Sequence, residues 1–211
     1  MRRTTVLLIA SIVLGFGVSM AGEAENYWAL RYSSGLGITV SPADNSDIFP
    51  YSLAMSGEMV YMLNDRFGLT PFSVRYSRFG FDRYHYAFAN GIPGSLLGGV
   101  DGSAWMLSYT PGVYLLLPLT SWVREYVSIG AGVNHFESSI DALAASRSSS
   151  DNRFCLNLAV GFEFPVTARS SLVAGIEYFM AGRPDPGIWY FDKNKHTKFY
   201  DIQIGAKIDL Y

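Results

Sequence analysis

The chain has 211 residues, 16 of them basic and 18 acidic, with 49% hydrophobic side chains and one cysteine. This mild acidity excludes the basic surface that nucleic-acid binding requires. Cys155 alone can build neither a disulfide framework nor a thiolate metal site, and the length suits a single domain.

Met1 to Ala21 has the layout of a secretory signal peptide, with Arg2 and Arg3 ahead of an uncharged apolar stretch from Thr5 to Ser19. That stretch is shorter than the roughly 20 residues of a spanning helix and is interrupted by Gly15 and Gly17. Small side chains at Ser19 and Ala21 place the expected cleavage after Ala21. One mature domain, residues 22–211, then carries 14 basic residues against 18 acidic ones.

Beyond Gly22 no segment has a helical period. Residue character alternates with the period of a strand over eight segments of about ten residues. The first three, Tyr27 to Val40, Tyr51 to Met62 and Phe67 to Ser77, are irregular. Ser34 and Gly57 interrupt the apolar faces of the first two, and Thr70-Pro71 predicts a bulge in the third. Ser103 to Leu117 is the clearest, with Trp105, Leu107, Tyr109, Val113 and Leu115 on one face and Ser108, Thr110 and Gly112 on the other. Glu125 to Phe136, Arg153 to Pro165 and Ser171 to Met180 follow. In the last strand Ile202, Ile204, Ala206, Ile208 and Leu210 oppose Asp201, Gln203, Gly205, Lys207 and Asp209.

Side-chain size decides which face lies inside. An eight-stranded barrel has an interior just wide enough for side chains to fill, and the bulky apolar set does not fit there. The opposite set is rich in small residues, among them Gly112, Ser128, Gly130, Gly132, Ala159, Gly161, Gly175 and Gly205. The small set therefore faces the lumen and the apolar set faces lipid. In hydrocarbon every backbone N–H and C=O must be paired, so the sheet must close. The expected fold is all-β: a closed, eight-stranded, antiparallel up-and-down transmembrane barrel. Trp28, Trp122 and Phe164 mark one rim, and Tyr51, Trp105 and Tyr200 the other.

Short connections at Asn64-Asp65, Leu119 to Arg124 and Val166 to Ser170 alternate with long ones at Ser41 to Pro50, Phe79 to Gly102, Glu137 to Asn152 and Ala181 to Thr197. The short set reads as periplasmic and the long set as extracellular.

With these segments, and with stretches such as Gly161-Phe162-Glu163-Phe164-Pro165 followed by Leu172 to Tyr178, the whole mature chain resembles the small outer-membrane β-barrel family of the OmpA transmembrane domain and the opacity-type, porin-like barrels. The resemblance implies an outer-membrane location, contact with outer-membrane lipid and lipopolysaccharide, and handling by the barrel-assembly machinery. It implies no cofactor and no nucleic acid. Many such barrels end on an aromatic residue in phase with alternating hydrophobics; Tyr211 is aromatic but one residue out of phase with Ile204, Ala206, Ile208 and Leu210.

Three functions stay open: a non-enzymatic role in envelope integrity or surface interaction through the outer loops, a lipid A-modifying enzyme of deacylase type, or a small channel for small or apolar solutes. Arg31, Glu58, Arg75, Glu163, Glu177, Lys207 and Asp209 fall on the inward set, where they are expected to form a network of ion pairs filling the barrel; unpaired charges there are costly. Eight-stranded lipid A deacylases carry a catalytic His and Ser two residues apart on the lipid face. His135 lies on that face, but Glu137 stands two residues on, and Ser138 and Ser139 are displaced, which leaves only a pair built across strands. His85, His135 and His196 have no metal-ligand spacing. For a surface partner the candidates are Phe81, Tyr84 and Tyr86, in a segment read as a ribbon prolonging the third and fourth strands, with Trp189 and Tyr190 in the last loop.

Overall fold

A computed structural model describes residues 26–41, 48–142, 145–182 and 197–210. The strands are β1 (Tyr27–Ser41), β2 (Tyr51–Met62), β3 (Phe67–Phe79), β4 (Val100–Tyr109), β5 (Gly112–Pro118), β6 (Arg124–Ala142), β7 (Ala145–Pro165), β8 (Ser170–Ala181) and β9 (Thr197–Leu210). Every pairing is antiparallel, and β1 pairs with both β2 and β9, which closes the barrel.

The nine segments make eight barrel strands, because β4 and β5 are the two halves of one. Both pair with β3 on one side and β6 on the other. The break falls at Thr110-Pro111, where proline has no N–H to give the ladder. The bulge expected at Thr70-Pro71 is present: Met59 opposes Phe72 and Tyr61 opposes Leu69, so Val60 alone faces both Thr70 and Pro71, one residue more than a regular ladder. Pro71 and Phe72 both turn outward there.

Following cross-strand partners once around the barrel, from Tyr200 through Leu158 and Leu69 to Trp28, returns to β9 at Leu210, ten residues along. This stagger tilts the strands and sets the narrow bore. Inward positions hold Arg31, Ser33, Ser56, Ser77, Ser128 and Asn157, all buried, whereas Leu36, Ile38, Phe72, Ile176, Ile202 and Ile204 are exposed on the outer wall. A water-soluble barrel would have the reverse arrangement. Among the described residues no helix is long and apolar enough to cross a membrane.

Two outer connections differ from their sequence reading. Phe79 to Gly102 is not a ribbon. The chain leaves β3 into a short helix, α1 (Arg83–Ala89), and a 3-10 turn (Gly94–Gly99). The cause is local: the Asp82 carboxylate accepts from the N–H groups of Tyr84 and His85 at 2.9 and 3.1 Å and caps the helix. Conversely, Glu137 to Asn152 is not a loop, because β6 and β7 stay paired out to Ala142 and Ala145. β8 pairs with β7 only as far as Cys155, so the β6–β7 hairpin, flanked on the β6 side by β4 out to Val100, extends past β8 as a ribbon. The proposed cleavage region and the last outer loop, with Trp189 and Tyr190, lie outside the described residues.

Candidate functional site

Three polar layers and an apolar plug fill the lumen. At the end of the barrel with the short turns, the fully buried Glu163 carboxylate accepts from the Tyr114 hydroxyl and meets Arg124 at 3.1 Å and Lys207 at 3.2 Å. Lys207 also lies 3.7 Å from Asp209, and Arg124 donates to Ser171 at 2.8 Å. One carboxylate thus draws inward side chains from four strands together.

In the next layer the Tyr114 and Tyr126 rings stack at 5.7 Å with 10° between their planes. The Arg31 guanidinium lies 4.1 Å above the Tyr126 ring, donates to its hydroxyl at 2.7 Å and pairs with Glu58 at 3.4 Å. Cation–π attraction strengthens in such a dry setting. Tyr126 rests over the Gly161–Gly175 pair, where a Cβ on either glycine would meet its ring or hydroxyl. These two glycines make room for the ring.

Above it, Arg75 pairs with Glu177 at 2.6 Å and with Asp201, and its Nε donates to Ser77 at 3.0 Å. Glu177 further accepts from the amides of Asn157, at 2.9 Å, and Gln203. Ser33 donates to Gln203 at 2.8 Å and lies 2.6 Å from Ser56, which carries the network across to β2. Buried charge is tolerable because each head group faces an opposite charge, and Arg31, Arg75, Glu163 and Glu177 make further hydrogen bonds.

The outer third is apolar. Phe79, Phe179 and Phe199 interleave, with Phe199 5.1 Å from Phe79 and 6.2 Å from Phe179; Met106, Phe136 and Cys155 complete the plug. Over it sits the outer cap, in which Phe81 lies 5.7 Å from both Phe49 and Tyr86. All seven inward charged residues identified in the sequence therefore stand in the lumen, split between the three layers. Phe81 and Tyr86 turn into the plug, whereas Tyr84 is 68% exposed, so the expected surface face is corrected to Tyr84 with Phe88, which is 88% exposed.

Sequence reading had not singled out Tyr114, Tyr126, Arg124, Asp201 or Gln203. The inward phase of Asp201 and Gln203 was visible, but which partners they meet depends on the barrel's stagger. Among the described residues no three potential metal ligands converge. Outside the membrane, the hydrogen bond from the His85 ring at 3.0 Å, with the two backbone donors, holds the Asp82 carboxyl below the usual carboxylate range.

Comparison with known proteins agrees on the architecture. A family described as the outer membrane protein beta-barrel domain matches residues 9–208. Neisserial surface protein A is similar over 88% of this chain and 99% of its own, at 13% identity and a TM-score of 0.56. A major outer membrane protein from Thermus thermophilus covers 87% of this chain and 99% of its own, at 16% identity and a TM-score of 0.52. Ail, the attachment invasion locus protein of Yersinia pestis, solved with the heparin analogue sucrose octasulfate, covers 90% of this chain and 100% of its own, at 17% identity and a TM-score of 0.50. Identities this low speak to the fold alone. No curated protein sequence matches.

Proposed function

Because the chain belongs to the outer membrane protein beta-barrel domain family and resides in the outer membrane, we propose that its barrel is a non-conducting anchor for an aromatic face that binds a surface partner outside the cell. The carrying observation is the contrast within α1. Tyr86 and Ala87 are buried on the cap while Tyr84 and Phe88 of the same helix stand exposed. The 3-10 turn extends that face with the exposed Leu96, and a recess of about 470 Å³ opens between Tyr84, Phe88, Ile92 and Leu97. Apolar surface left in water beside a rigid support is the composition of a binding hot spot.

The filled lumen supports the anchor half of the reading. Four cations face five carboxylates across three layers, and the apolar plug lies above them. An ion passing through would have to part these pairs and then enter a dry aromatic layer.

Retention of cells displaying the chain on bare and matrix-protein-coated polystyrene tests the proposal. Tyr84→Ser with Phe88→Ser is expected to cut retention roughly tenfold, the effect of losing ~1.4 kcal/mol of binding, while heat-modifiable migration in gels persists. Equal retention by the variant refutes the surface role, and a steady single-channel current from the purified barrel in a planar bilayer refutes the closed anchor.

A further inference from the structure

The outward wall of the β6–β7 ribbon carries a polar cluster set apart from the lumenal ion pairs. His135 lies where this wall changes character. Its neighbours toward the membrane centre, Leu107, Val133 and Phe154, are exposed and apolar, whereas Glu137 and Ser150 stand beyond it. This transition marks the boundary between acyl chains and head groups in the outer leaflet. There the Asn152 Oδ1 lies 2.9 Å from His135 Nδ1, and the Ser150 Oγ lies 3.4 Å from His135 Nε2. Trp105 packs its ring 5.3 Å from the imidazole and limits its rotation.

The chemistry of these atoms fixes their roles. An amide oxygen can only accept, so Nδ1 carries a proton, and in the neutral ring Nε2 then keeps its lone pair. Ser150 then donates its hydroxyl hydrogen to Nε2. A hydroxyl, a neutral imidazole oriented by a third group, and exposure to a substrate-bearing surface are together the arrangement of a nucleophilic acyl-transfer site, whatever the fold that carries it. All three residues lie on the exposed side of a ribbon held by backbone bonds.

We propose that Ser150, His135 and Asn152 form a hydrolytic site that cleaves acyl esters of outer-leaflet amphiphiles. Ester carbonyls of such lipids lie at the depth of His135, and the wall of Leu107, Val133 and Phe154 lies along the acyl chain. Ser150 Oγ attacks the carbonyl carbon while its proton passes to His135 Nε2. The tetrahedral adduct collapses, the C–O bond to the alcohol breaks, and the alcohol leaves with that proton. Water then adds to the acyl-serine, giving a proton to Nε2. The serine ester bond breaks, the fatty acid departs and the proton returns to Ser150 Oγ. The net reaction is ester plus water to acid plus alcohol. Asn152 is a positioning residue that holds the imidazole in the reactive tautomer. This inference is independent of the aromatic face on α1.

The full mature chain, reconstituted in vesicles of phosphatidylethanolamine with phosphatidylglycerol and, separately, in vesicles containing lipopolysaccharide, is assayed for released fatty acid by mass spectrometry. Release is expected to fall at least ~100-fold in Ser150→Ala and in His135→Ala. Asn152→Ala should lower it, and Asn152→Asp should restore it, because a carboxylate also accepts from Nδ1–H. A fluorophosphonate should label Ser150 in the unaltered chain and not in His135→Ala. Release from the first vesicles assigns glycerophospholipid esters, and release from the second alone assigns glycolipid esters; both support the site. No release above the protein-free background in either vesicle overturns it, as does release that survives Ser150→Ala. Heat-modifiable migration verifies that each variant is folded.

Discussion

Replacing Arg75 by methionine tests whether the ionic layers hold the barrel together. The guanidinium side chain is 3% exposed, pairs with Glu177 at 2.6 Å and also meets Asp201. Glu177 and Asp201 are direct cross-strand partners of β8 and β9, so removal of the cation leaves two like charges face to face in a dry interior. Breaking a buried pair in this way costs about 3–5 kcal/mol. At roughly 2–4 °C per kcal/mol for a domain of this size, Arg75→Met should lower by about 6–20 °C the temperature at which the folded band converts to the unfolded one in unboiled gels. Adding Glu177→Gln and Asp201→Asn removes the orphaned charges and should recover most of the loss. Arg75→Lys should fall between, because a single ammonium cannot match the forked contacts. A midpoint for Arg75→Met within 2 °C of the unaltered chain would refute the argument.

Other expectations are equally direct. Tyr126→Leu leaves Arg31 without its ring and its hydroxyl acceptor, and chemical unfolding in vesicles should show a loss of about 2–4 kcal/mol. Ile204→Lys places a charge on the lipid wall, where Ile204 is 67% exposed; it should cost about 2–4 kcal/mol near the bilayer midplane by the same titration. Asp82→Ala uncaps α1 at a cost of about 1 kcal/mol, read as faster amide exchange at Tyr84 and His85. Since the folded Asp82 carboxyl is held below its unfolded range, chiefly by the His85 ring, its stabilisation of α1 is complete above that range and fades as pH falls through the lowered value. Exchange at these two amides, corrected for the intrinsic rate, should therefore rise on acidification in the unaltered chain and stay flat in Asp82→Ala.

How much of this was legible in the sequence depended on what each segment faces. β7, β8 and β9 read clearly because lipid demands bulk on one side and the narrow bore demands small or paired residues on the other. Thr70-Pro71 read as a bulge because proline cannot serve the ladder. The β7 half of the ribbon beyond His135 gave no such signal, since the Ser-rich stretch around Ser146 to Ser150 has no bulky residues to alternate, although Phe136, Ser138 and Ile140 on the paired β6 stay buried. Alternating aromatics from Phe79 to Phe88 pointed to strand, and the Asp82 cap overrode them. Inward phase identified Arg31, Glu58 and Arg75 as lumenal, but their partners depend on the stagger, which places Tyr126 under Arg31 from 95 residues away. Ser150 has no signal along the chain for a related reason: the residue two places on from His135 is Glu137, whereas the hydroxyl beside the imidazole comes from the neighbouring strand.

The seam between the first and last strands has a consequence for assembly. β9 supplies Asp201 and Gln203 to the upper layer and Lys207 to the basal one, while β1 supplies Arg31 and Ser33. An open sheet, however many hairpins it has already zipped, would carry Arg75, Glu177 and Glu163 into the bilayer without their full complement of partners. Joining the two ends completes the backbone ladder and both electrostatic groups in a single event, so insertion and closure should proceed as one concerted transition with no stable gaping form.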